Sequence, residues 1–177
     1  MVMAVQSVKA LADVREQALP GYAVAAIRED GHWRCTRLAH EALADLDVAI
    51  TELRELRSTG AVLGLLDVDD EFFVLLRPTP AGVSLMLSDA VAALDYDVAA
   101  DVLDLLRIEH PCEDDLDAPP WPEGDLGIFA DLGLPPDELE VLAAEVELYP
   151  DEQLASIGRR CGFGDALAEV VNDTGAR

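Results

Sequence analysis

Carboxylates are the chain's most numerous reactive groups, and they crowd most closely at Asp67-Val68-Asp69-Asp70-Glu71. Hard divalent cations such as magnesium and calcium take oxygen ligands from clusters of this kind. The calcium-loop pattern fails, however, because the glycine and glutamate that an EF-hand places at its sixth and twelfth positions are replaced by Phe72 and Pro78. A solvated turn between two strands is the ordinary reading, and a divalent-metal-dependent enzyme is the alternative it leaves open. His32 with Cys35 and His110 with Cys112 offer four zinc-type side chains at spacings that match no zinc motif. If Trp33 and Cys35 share one face of a strand, His32 points to the other, which separates the first pair as chelators. There is no glycine-rich phosphate loop, no G-x-S-x-G elbow and no cysteine beside an obvious histidine base. Exposed carboxylates keep ordinary pKa values, so no pair stands out as a general acid and base. The residues therefore assign no catalytic group, no cofactor and no metal ligand.

The most distinctive segment is Pro119-Pro120-Trp121-Pro122-Glu123-Gly124-Asp125-Leu126, where one of two tryptophans is boxed by prolines. A rigid tryptophan loses little entropy on burial, which suits either an anchor within the chain or a hot spot for a partner. Trp121, Pro122, Glu123, Asp125 and Tyr149 are the candidate partner-binding residues.

These residues sit in a chain of 177 residues that is 51% apolar and 27% charged, large enough for one hydrophobic core and too apolar to stay unfolded. Its 36 acidic and 12 basic side chains give a formal net charge of -24. Phosphate recognition needs clustered cations, so direct nucleic-acid binding is disfavoured, and an anionic membrane would repel the surface. A basic protein would be attracted and its encounter accelerated at low salt. Aromatics make up only 5% of the chain, leaving little platform for stacking bases. The amino end lacks the basic region and apolar run of a signal peptide, and Cys35, Cys112 and Cys161 are an odd number at wide spacing. Both features are expected of a cytoplasmic protein.

The acidity is uneven, with a net charge of -9 over residues 1–108 and -15 over residues 109–177. Residues 109–122 contain Pro111, Pro119, Pro120 and Pro122 among acidic side chains, which predicts an extended linker between a sheet domain at 1–108 and a small helical module at 123–177. Before the linker, runs at 22–28 and 32–36 flank Glu29-Asp30-Gly31, a hairpin signal. Apolar spacing predicts a weak helix over 6–18 and a stronger one over 41–57 ending near Gly60. Strands follow at 61–66, 72–76 and 83–87, then a helix that Asp97 caps and that runs to Arg107 with Val98, Val102, Leu105 and Leu106 inward. The fold class is α+β, a five-stranded antiparallel sheet with helices in a roadblock- or profilin-like order, followed by an all-α module. In that module a short helix is expected over 123–131, stopped at Gly133. Pro136 opens the next, with Leu139, Leu142 and Val146 inward, and Pro150 another, with Leu154, Ile157 and Cys161 inward and Gly162 as its stop. A last helix is expected over 165–171.

The segments Trp121 to Asp125, Ala130 to Leu134, Leu148 to Leu154 and Ile157 to Phe163, with Tyr22 to Trp33 and Glu71 to Arg77, resemble the actinobacterial tRNA adenosine deaminase-associated protein family. The resemblance covers most of the chain and implies a gene lying beside that of a tRNA-editing zinc deaminase, with no catalytic residues to carry over. The deaminase chemistry itself needs H-x-E and P-C-x-x-C, and neither motif is present. Charge and resemblance together point to a non-catalytic accessory protein that meets a basic partner, with the deaminase as the candidate. The alternatives are the metal-dependent enzyme already named and a sheet-mediated structural homodimer.

Overall fold

In the computed structural model residues 20–173 are described, and the helix expected over 6–18 lies outside them. Strands β1 (Gly21–Glu29) and β2 (His32–Arg37) form the expected hairpin, with Asp30 and Gly31 both at positive φ. Left-handed conformation at both central residues matches the twist of paired strands, which is why Asp-Gly carries the signal. Strands β3 (Val62–Val68), β4 (Phe72–Thr79) and β5 (Gly82–Leu87) follow as a meander. The sheet is antiparallel throughout, but it has six strands rather than five, because Glu123–Gly124 adds β6 beside β5 and the order runs β2-β1-β3-β4-β5-β6.

That sixth strand replaces the start of the helix expected over 123–131. Gly124 has φ +106°, and a Cβ there would lie 2.3 Å from the Leu85 carbonyl oxygen, so glycine lets the backbone come close enough to pair. Asp125 N–H then donates to the same carbonyl at 2.8 Å. Helical structure in this stretch shrinks to one 3-10 turn at Ala130–Leu132, stopped by Gly133 at φ +103°.

Helix α1 (Leu46–Glu55) is shorter than the expected 41–57, because the Asp45 carboxylate accepts from Asp47 N–H and fixes the start there. Helix α2 spans Asp97–Leu106 with Tyr96, not Asp97, at the cap position, and Arg107 stops it at φ 58°. Its buried stripe is Val98, Ala99, Val102 and Leu103, whereas Leu105 is 53% exposed, so the helix is rolled away from the expected face.

Helices α3 (Pro136–Ala144), α4 (Pro150–Cys161) and α5 (Gly164–Asn172) complete the described chain. Leu139, Leu154, Ile157 and Cys161 are buried as their spacing requires. Val146 falls beyond the end of α3 and stands 72% exposed, not inward. The buried Gln153 amide donates to the Leu142 carbonyl at 2.8 Å, satisfying the frayed end of α3 from the first turn of α4.

Strand alternation then builds two cores, one on each side of the sheet. Ala23, Ala25, Leu66, Phe72, Val74, Leu76, Leu85 and Leu87 face α1 and α2. Tyr22, Val24, Ala26, Leu63, Leu65, Phe73, Leu75 and Met86 face the carboxyl-terminal helices, meeting Phe129, Leu139, Leu154, Ile157 and Phe163. Arg77 fastens the same side, making a two-pronged contact with Asp131 at 2.6 and 2.9 Å and donating to the Ile128 carbonyl. Among the described residues, no helix is long and apolar enough to cross a membrane.

Candidate functional site

The acidic segment Asp67 to Glu71 is not one solvated turn, because its first two residues still belong to β3. Val62–Val68 is strand, so Asp67 is its sixth residue and shares the face of Leu63 and Leu65, with Tyr22 opposite on β1 and Phe73 opposite on β4. It is 1% exposed. The turn proper is Asp69-Asp70, both at positive φ, closed by Glu71 N–H donating to the Val68 carbonyl. Asp69 accepts from the Tyr96 hydroxyl on the α2 side, while Asp70 turns toward Asp67.

Across the sheet face, Asp151 in the first turn of α4 completes the group: one carboxylate oxygen from each of Asp67, Asp70 and Asp151 lies within 4.8 Å of the other two. Gly21 helps set this spacing. At φ +116° a Cβ would fall 2.0 Å from the Asp67 carbonyl oxygen, so only glycine lets β1 begin this close to β3. Burial pushes the Asp67 carboxyl up to about 8, contact with the Asp70 side chain and the charge of Asp151 act in the same direction, and a hydrogen bond from the Asp70 backbone N–H opposes them. The same burial, and the negative charges of Asp67 and Asp151, hold the Tyr22 hydroxyl far above its ordinary value. Asp67 Oδ1 is buried with no hydrogen-bond partner.

Beside this cluster lies a groove of about 230 Å³ between the β3–β4 turn, the residues after β5 and the junction of α3 with α4. Asp70, Glu71, Asp89 and Glu145 line it together with apolar surface from Pro120, Val146, Leu148 and Tyr149. Burial raises the Asp89 carboxyl from its ordinary value, opposed by the Val91 N–H that it accepts. Four acids around an apolar strip suit a long cationic side chain, whose stem packs while its head is neutralised.

The residues singled out from sequence are not gathered in one place. Tyr149 is 65% exposed and lines the groove, whose other lining residues include Pro120 but none of Trp121, Pro122, Glu123 and Asp125. Trp121 is half-buried; its carbonyl accepts from Ala90 N–H and its indole N–H donates to Glu123 at 3.2 Å. Glu123 is itself in β6 opposite Leu87, Pro122 is half-buried, and the Asp125 carboxylate accepts from Gly127 N–H. The zinc-type side chains also stay apart. His110 pairs with Asp104, Cys112 with Asp115, and Cys35 is half-buried while His32 is exposed. Burial raises the Cys35 thiol to about 12 and Cys161 to about 11, which leaves both unreactive at neutral pH. Asp151 is the participant that sequence reasoning missed, because it lies 84 positions from Asp67 and only the docking of α4 on the sheet unites them.

Comparison with known proteins gives this chain a mycobacterial relative. It is 57% identical over 155 residues to "Protein Rv3753c" of Mycobacterium tuberculosis, covering 88% of this chain and 90% of that protein. No solved structure matches significantly. The matching family profile, described as Rv3753c-like tRNA adenosine deaminase-associated protein, covers residues 21–164, which run from the first residue of β1 to the first of α5. On both counts the chain belongs to the Rv3753c-like tRNA adenosine deaminase-associated protein family.

Proposed function

We propose that this protein is a non-catalytic accessory subunit that docks on a tRNA adenosine deaminase in the cytoplasm, with its acidic groove receiving a basic side chain of that enzyme. The observation that carries the reading is the groove, where Glu71, Asp89 and Glu145 surround the exposed apolar surface of Val146 and Tyr149. A protein that handles tRNA must itself present clustered cations to phosphate. An acidic protein of net charge -24 is complementary to such a face and is unsuited to binding the tRNA directly. Association would then be steered over long range by charge and fixed at short range by Tyr149, whose ring offers packing area at low entropic cost.

Co-purification from the native host tests this at about 50 mM and about 150 mM salt, chosen to bracket the range over which screening weakens exposed charge contacts. The deaminase is expected in the eluate at both, with less at the higher salt. The double variant Glu71→Lys with Glu145→Lys should lose it, and Tyr149→Ala should reduce it by about tenfold, the loss of a modest hot spot. Failure to recover the deaminase at either salt would remove this partner.

A further inference from the structure

The geometry points to a divalent-cation site formed by Asp67, Asp70 and Asp151, at the seam between the β3–β4 turn and the first turn of α4. Two independent features support it. Three carboxylate oxygens converge within 4.8 Å of one another from two separate parts of the chain. Within that set, Asp67 is 1% exposed and its Oδ1 has no donor. A buried carboxyl oxygen is almost always hydrogen-bonded, so an orphan beside two further carboxyl groups calls for a positive ligand. Among the described residues, the charges that act on Asp67 are Asp70 and Asp151, both negative, with no arginine among them. Arg159 borders the neighbouring hollow of about 290 Å³ with Tyr22 and Asp151, but its guanidinium donates to Ser156.

An all-oxygen set selects a hard cation, and oxygens this far apart are spanned by calcium, whose ligands lie at about 2.3–2.6 Å, with magnesium retaining more of its water. Asp70 also lines the docking groove and Asp151 the second hollow, so the site has solvent on two sides from which an ion and its remaining waters can enter. No bond to carbon or phosphorus changes in this event; one ion binds and sheds part of its water shell to solvent. The inference is independent of the deaminase reading, because it needs no partner.

Calorimetric titration of the full chain with calcium, magnesium and manganese at pH 7 tests it. The expected result is one saturable site for at least one of these ions. Asp67→Asn, which keeps the side chain's shape, should abolish the site while circular dichroism shows it folded; Asp151→Asn should weaken binding at least tenfold. Asp114→Asn, in an exposed acidic turn elsewhere, should bind as the parent does. Absence of saturable binding by all three ions, or equal losses in Asp114→Asn, would overturn the site.

Discussion

Asp67 carries its proton well into the neutral range, and stability must therefore depend on pH in a direction opposite to that of an ion-paired acid. In the unfolded chain its carboxyl titrates near the ordinary value of about 4. Between that value and the folded value of about 8, the native state holds a proton that the unfolded state has released, so stability falls as pH rises through this window. Asp131 acts the other way, since hydrogen bonds from Arg77 hold its carboxyl low, and its contribution is lost only in more acidic solution. Urea unfolding in chelator at pH 5 and pH 8 should show the parent losing stability toward pH 8 and Asp67→Asn losing distinctly less. Identical slopes would mean that Asp67 is ionised in the folded protein. The sequence displayed the acids but not this division of labour. Alternation of Leu63, Leu65 and Asp67 places the last on an apolar face, and that parity was the available signal. Asp151 gave none, since its carboxylate reads as ordinary helix-start chemistry after Pro150.

Elements were legible where local chemistry decides them. The Asp30-Gly31 hairpin, the three-strand meander, the proline starts of α3 and α4 and the glycine stop of α4 all follow from residues within one turn. Misreadings arose where a distant element decides. Leu105 has the spacing of a core residue, yet the roll of α2 is set by the sheet beneath it, and Glu123–Gly124 becomes strand because β5 has an open edge. The near-continuous apolar runs of β3 and β4 held one further message. An antiparallel strand with one wet face alternates, whereas an unbroken run signals cover on both faces. Phe163 is the keystone of the second cover: it is fully buried and its ring lies 5.2 Å from that of Trp33 on β2. Phe163→Ala should cost about 3–5 kcal/mol in urea unfolding. Tryptophan fluorescence and far-ultraviolet circular dichroism should shift to the same lower midpoint, because helices and sheet share one core. Separate midpoints would show that they unfold independently.

At the scale of the molecule, the sheet is the common floor of two layers, α1 and α2 beneath it and α3 to α5 above. Its broad faces are occupied by the chain itself, so among the described residues the exposed surface consists of the edges, the acidic groove and the outward sides of the helices. The short β6 strand has a wider consequence. It stitches the chain to β5 just after the proline-rich stretch, and Trp121 adds a backbone bond to Ala90 on the same edge. A single nick between Glu109 and Ala118 would thus sever the polypeptide without parting the halves. Limited digestion followed by native gel filtration should yield two pieces travelling as one particle, whereas pieces that drift apart would mean the upper layer is merely tethered. Fragment complementation becomes a practical tool here: the portion from Trp121 onward should reassociate non-covalently with the portion before it when the two are mixed.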